Sequence, residues 1–170
     1  PELALSRQVV ARFVNEARTL ARLDCPHVVR VFDAGVTKET DGAPLPYMVL
    51  ELLHGQDLRA QCDRGPVEDV DRAVGWILQA CEGLAAAHAE GVVHRDLKPD
   101  NLFIVNERSG IRDYVKIIDF GISKFNVLGG DMSMTRTGAV MGTPYYMSPE
   151  QAKGSGNVDA RSDLYAIGVI

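Results

Sequence analysis

The sequence predicts an α+β fold in two unequal parts, a small strand-rich part over residues 1–53 and a helix-rich part over residues 54–170. Three observations carry that expectation. Apolar residues recur at helical spacing between Ser6 and Leu23. Two apolar runs, Val28 to Phe32 and Tyr47 to Leu53, are bounded by turn residues and read as strands. From Val70 the apolar positions step to Val74, Ile77, Cys81, Leu84 and His88, the pattern of a long helix buried along one stripe.

Taken in order, the first helix carries Val9, Val10, Phe13, Val14, Ala17, Leu20 and Ala21 on its apolar side, with arginines between them. Glu16 lies three residues after Phe13 and four before Leu20, so a carboxylate falls at the apolar face. It either has a cationic partner or reaches solvent from the edge of that face. Pro26 closes the region, and Asp33, Ala34 and Gly35 bound the first strand. Residues 37–46, rich in Thr, Asp, Gly and Pro, read as a surface loop, and His54-Gly55 ends the second strand. Gly65-Pro66 precedes the long helix, for which Gly91 is the expected C-terminal cap. Short apolar segments follow at 92–93, 102–105 and 114–118. Residues 126–143, rich in Gly, Ser, Thr and Met, read as a mobile loop.

Composition narrows the function. At 170 residues, 46% hydrophobic and 24% charged, the chain has the makeup of about one globular domain, not of a disordered or fibrous protein. A net charge of -5 argues against nucleic acid as the partner, because phosphate-backbone binding needs a dense basic face. No apolar run reaches the roughly 18 residues of a membrane span, and the first residues lack a signal-peptide pattern. Cys25, Cys62 and Cys81, odd in number and widely spaced, fit reduced thiols of a cytoplasmic protein acting as small apolar fillers.

The chemistry concentrates in three blocks. His94-Arg95-Asp96-Leu97-Lys98-Pro99-Asp100-Asn101 places an acid, a cation and an amide together between two short apolar segments. Asp119-Phe120-Gly121 directly follows an apolar strand, and Gly142-Thr143-Pro144-Tyr145-Tyr146-Met147-Ser148-Pro149-Glu150 comes next. Together these blocks resemble the catalytic loop, metal-binding loop and activation-segment end of the eukaryotic-type protein kinases. Phe13-x-x-Glu16 resembles the helix of the small lobe, and Asp159 to Gly168 the start of the long buried helix of the large lobe. Met147-Ser148-Pro149-Glu150-Gln151-Ala152 is similar to the bacterial Ser/Thr kinases.

The resemblance implies a two-lobed protein-kinase-like fold, with residues 1–53 a partial small lobe and 54–170 a partial large one. It implies transfer of the ATP γ-phosphate to protein Ser or Thr hydroxyls with Mg2+. That reaction needs metal ligands, a cation and a proton acceptor, since its barrier is mostly positioning and charge neutralisation. Asp96 would accept the hydroxyl proton, Lys98 would steady the phosphoryl group, and Asn101 and Asp119 would hold magnesium. Leu50 would stand at the gate of the nucleotide pocket, Glu51 and Leu53 would offer backbone groups to adenine, Phe103 would lie beneath the ring and Asp57 near the ribose. Glu16 would pair with a lysine on a preceding strand, so it belongs to the nucleotide-binding set. Glu51 as a strand-end carboxylate and Phe103 as plain core are the competing assignments. His94, Phe120, Leu20 and Val31 would stack between the lobes, with Asp163 anchoring the catalytic loop.

Thr135 and Thr137 would take an activating phosphate received by Arg95 and Lys124, and Thr143 would bond near Asp96 and Lys98. No Gly-x-Gly-x-x-Gly occurs in these residues. The expectation is an internal piece of a kinase, without the Gly-rich loop, the strand lysine and the C-terminal helices, and inactive alone. Any membrane attachment would come through parts outside it. A pseudokinase or docking module is the alternative, argued against by intact Asp96, Lys98, Asn101 and Asp119.

Overall fold

A computed structural model describes residues 7–37, 45–106, 113–120, 144–154 and 158–170. Helix α1 (Arg7–Arg22) buries Val10, Val14, Ala17 and Leu20, the stripe its spacing predicts. It packs on an antiparallel pair of strands, β1 (Val31–Thr37) and β2 (Leu45–Leu50).

The first strand differs from the sequence reading. Residues 27–29 join another sheet: Val29 N–H donates to the Ile117 carbonyl at 2.9 Å and Ile117 N–H to that of His27 at 2.8 Å. The strand proper starts at Val31 and runs through Asp33, Ala34 and Gly35, which their side chains mark as a turn. Pairing with β2 supplies the backbone bonds that decide the matter. Gly35 lies under Tyr47, where a Cβ would come within 2.9 Å of the phenol oxygen. The second strand is also shifted, ending at Leu50 and not at Leu53.

A second sheet has the order β3 (Gly55–Asp57), β4 (Leu102–Val105), β5 (Tyr114–Ile117), all antiparallel. Gly55, expected only to close a strand, thus opens one. Helix α2 (Leu58–Cys62) follows, capped by the Asp57 carboxylate, which accepts from Ala60 N–H at 2.6 Å. The segment Val92-Val93 forms no strand.

Helix α3 (Val70–Ala89) starts at Asp69, whose carboxylate accepts from Arg72 N–H at 3.0 Å. It ends as Gly91 predicts: Gly91 takes a left-handed φ of 74°, and Gly91 and Val92 donate to the carbonyls of His88 and Ala87. Its buried face is rotated from the expected stripe. Trp76, Ala80, Gly83, Leu84 and Ala87 are inside, whereas Val70 is 68% exposed and Val74 50%. The helix is apolar on more than one side, and contact with β5 and the 27–29 segment selects which side is covered. Arg72 secures the start of β5 by a two-pronged bond to Asp113, at 2.6 and 2.9 Å, while lying over the Trp76 ring. Two short helices complete the described chain, α4 (Pro149–Ala152) and α5 (Ala160–Val169). The three cysteines are free thiols.

The close approach at Gly83 is testable. A Cβ there would meet the His27 carbonyl at 2.7 Å and Ile117 Cδ1 at 2.9 Å, whereas one at Gly75 would meet nothing within 4 Å. Gly83→Ala is expected to destabilise by about 1–3 kcal/mol through overpacking, and Gly75→Ala to stabilise by about 0.5–1 kcal/mol through helix propensity. Thermal or urea denaturation of both variants checks the opposite signs.

Candidate active site

The loop 94–98 is held by a buried carboxylate. Asp163, 1% exposed in the first turn of α5, accepts from the amides of His94 and Arg95 and from the His88 ring, each at 2.8 Å. Arg95 takes a φ of 65°, a region costly for a residue with a Cβ. A pair of amides aimed at one carboxylate is what sustains that conformation.

His94 is fully buried, stacked against Phe120 with ring centroids 4.8 Å apart. Its Nδ1 accepts from Asp96 N–H at 3.3 Å, which leaves Nε2 to donate to the Ile118 carbonyl at 3.0 Å. That arrangement is the neutral imidazole, and burial is the main cause holding its pKa below the ordinary histidine value. Leu20, Val31 and Phe120 are buried members of one core.

Asp96, Lys98 and Asn101 converge. Lys98 Nζ lies 4.0 Å from Asp96 Oδ2, with both side chains about a quarter exposed. Asn101, buried at the end of the short 3-10 turn Pro99–Asn101, donates Nδ2 to the Asp96 carbonyl at 2.8 Å. Its own carbonyl accepts from Ile118 N–H at 2.9 Å, which brings the loop alongside the residue before Asp119. Asp119 is exposed, with a φ of 52° and no hydrogen-bond partner among the described residues. Beside this group lies a recess lined by Asp96, Lys98, Tyr146, Met147, Gln151 and Ser162.

The other predicted residues fall at the junction of the two sheets. Leu50 ends β2 opposite Val31, and Leu53 makes no backbone hydrogen bond among the described residues. Phe103 is half-buried on β4, paired with Asp57 on one side and Lys116 on the other. Asp57 spends one carboxylate oxygen on the cap of α2. Glu16 is half-buried on the side of α1 that carries Phe13 and Leu20. Gly121, Lys124, Thr135, Thr137, Gly142, Thr143 and the loop 126–143 lie outside the described residues.

Three contacts escaped the sequence reading. Lys116, 2% exposed, donates to the Val28 carbonyl at 3.0 Å and pairs with the Glu51 carboxylate, which also accepts from Arg30 N–H at 2.8 Å. Glu51 is therefore neither a bare strand end nor a backbone contributor alone. Glu150 accepts from the Ser162 hydroxyl at 2.6 Å, the main cause of a carboxyl pKa below its usual range. Gln151 donates Nε2 to the Arg95 carbonyl at 2.7 Å. The one available signal was Lys116, a single lysine inside the apolar run Tyr114 to Ile118.

A protein kinase domain model matches residues 4–170. The chain belongs to the protein kinase family. The chain is 43% identical over 168 residues to the serine/threonine-protein kinase Pkn1 of Myxococcus xanthus, covering 99% of the chain but 23% of that protein. Among solved structures it is similar to the kinase domain of Mycobacterium tuberculosis PknI, at 28% identity and a TM-score of 0.68 over 98% of this chain and 56% of that one. It is also similar to Rad53 in complex with AMP-PNP, at 26% identity and a TM-score of 0.67 over 92% of this chain and 35% of that one. The chain thus spans about a quarter of the length of Pkn1. Among the described residues no helix is long and apolar enough to cross a membrane.

The buried titratable groups of the chain give two expected outcomes. Glu51→Ala leaves the Lys116 ammonium buried without its carboxylate and is expected to cost about 3–5 kcal/mol, with Glu51→Gln/Lys116→Met recovering most of it. Urea titration of the variants measures this. For His94, the folded-state pKa lies below the unfolded one, so the folded protein binds fewer protons. Its contribution is fully present above about pH 6.5 and is lost as the pH falls from there through the lowered folded value. Melting temperature against pH should therefore decline on the acid side, and more shallowly in His94→Phe.

Proposed function

We propose that the intact protein transfers the γ-phosphate of ATP to serine or threonine hydroxyls of proteins, in a cytoplasmic signalling role. The observation that carries this reading is the convergence of Asp96, Lys98 and Asn101 on one loop, bonded alongside the strand end that bears Asp119. On this reading residues 1–53 form part of a small lobe and 54–170 part of a large one, with the nucleotide between them.

Asp96 orients the acceptor hydroxyl and takes its proton, and Lys98 places a cation at the oxygens of the transferring group. The donor set fits magnesium. Asn101 has Nδ2 committed to the Asp96 carbonyl, which turns Oδ1 toward a ligand, and the Asp119 carboxylate has no competing bond among the described residues. With only Asn101 and Asp119 as protein ligands, a metal here would keep positions for phosphate and water, as Mg2+ prefers. When bound, the ion neutralises phosphate charge. Leu50 stands at the gate of the nucleotide pocket, Phe103 lies beneath the adenine, Glu51 and Leu53 offer their backbone to its edge, Asp57 uses its remaining oxygen near the ribose, and Glu16 pairs with a lysine on a preceding strand. Proteins are the proposed substrates, and the net charge of -5 argues against nucleic acid as the partner. Residues 1–170 contain no Gly-x-Gly-x-x-Gly and span about a quarter of the length of Pkn1, so the activity is assigned to the intact protein.

The test is phosphate transfer from radiolabelled ATP to a Ser/Thr peptide. Asp96→Asn should lower turnover by about 10²–10⁴-fold at unchanged melting temperature, and Asn101→Ala should raise the magnesium requirement. Absence of transfer by the wild-type protein would point instead to a docking module, and wild-type turnover in Asp96→Asn would overturn the role given to Asp96. Autophosphorylation at Thr135 and Thr137 is expected to raise activity, so the double alanine variant should turn over more slowly than wild type.

A further inference from the structure

The backbone of Arg95 is held on both sides of its Cα. On one side Arg95 N–H donates to Asp163 Oδ1 at 2.8 Å, and on the other the Arg95 carbonyl accepts from Gln151 Nε2 at 2.7 Å. Since Arg95 sits at a φ of 65°, the direction of that carbonyl sets the backbone from which the Asp96 side chain leaves.

Gln151 is itself oriented. It occupies the third position of α4, where its Oε1 accepts from Ser148 N–H at 3.1 Å while its own N–H donates to Ser148 Oγ at 3.4 Å, a reciprocal cap. With Oε1 so engaged, Nε2 is the atom left for the Arg95 carbonyl. Turning the amide over would set oxygen against oxygen and N–H against N–H, so one orientation satisfies both bonds.

We propose that Gln151 is a positioning residue for Asp96, reading the capped start of α4 and transmitting it through the Arg95 carbonyl to the catalytic loop. The role of Asp96 rests on the kinase reading above; the coupling itself does not.

Glutamate at this position separates the two bonds. Gln151→Glu keeps an acceptor for Ser148 N–H but faces the Arg95 carbonyl with a carboxylate oxygen, whereas Gln151→Ala removes both bonds. In the intact protein Gln151→Glu should melt above Gln151→Ala yet show a kcat no higher, about tenfold below wild type, with KM for MgATP unchanged. Amide hydrogen exchange at Arg95 and Asp96 should quicken about tenfold in Gln151→Glu, with that of Ser148 unchanged. A kcat loss that merely follows the melting temperature across the two variants, or exchange at Arg95 and Asp96 equal to wild type, overturns the proposal. Faster exchange in Gln151→Glu, together with a wild-type protein that transfers no phosphate, would uphold the coupling and sink the proposed function instead.

Discussion

Asp163 carries a carboxylate removed from water and surrounded by three donors, the amides of His94 and Arg95 and the ring of His88. Ionised groups in such a place are sustained only by short, well-aimed hydrogen bonds, and the first turn of α5 adds the favourable end of a helix dipole. The bonds act in both directions: the amides settle the charge, and the charge holds the amides in a backbone geometry that Arg95 would not adopt unaided. The presentation of Asp96 and Lys98 to one recess, with Asn101 bonded back to the Asp96 carbonyl, rests on that exchange.

Around it the packing is built to leave the loop little freedom. His94 fills its site as a neutral ring between Phe120 and the Ile118 carbonyl, so it joins the loop to the strand end before Asp119 without adding a charge. Asn101 ties the loop back on itself, and Ser148, Ser162 and Glu150 form a hydroxyl-carboxylate chain that fastens α4 to α5. The Lys116–Glu51 pair plays a comparable part at the junction of the sheets, binding β5 to the end of β2 through a buried ammonium. In each case a polar group inside the protein is matched by a hydrogen-bond or charge partner, as burial requires.

How far this was legible in the sequence depends on the range of the interaction. The stripe of α1, the Gly91 cap and the clustering of Asp96, Lys98 and Asn101 are local consequences of spacing, and they stand in the structure as read. The start of β1, the short strand at Gly55 and the covered face of α3 were misread, because each is decided by a partner strand or helix and not by the segment's own residues. Glu51 and Gln151 show the same limit at the site: their side chains end on residues 65 and 56 positions away.

By itself the sequence determined the family, the order of its chemical groups and the local helical periodicity, since those reside in residue type and short spacing. Tertiary structure alone decided which face of α3 is inside, which carboxylate neutralises Lys116, and which side chain holds the carbonyl before Asp96. The reason is physical. A hydrogen bond or ion pair across dozens of residues is chosen by where the backbone has been brought, and a buried donor takes the acceptor that the fold sets beside it.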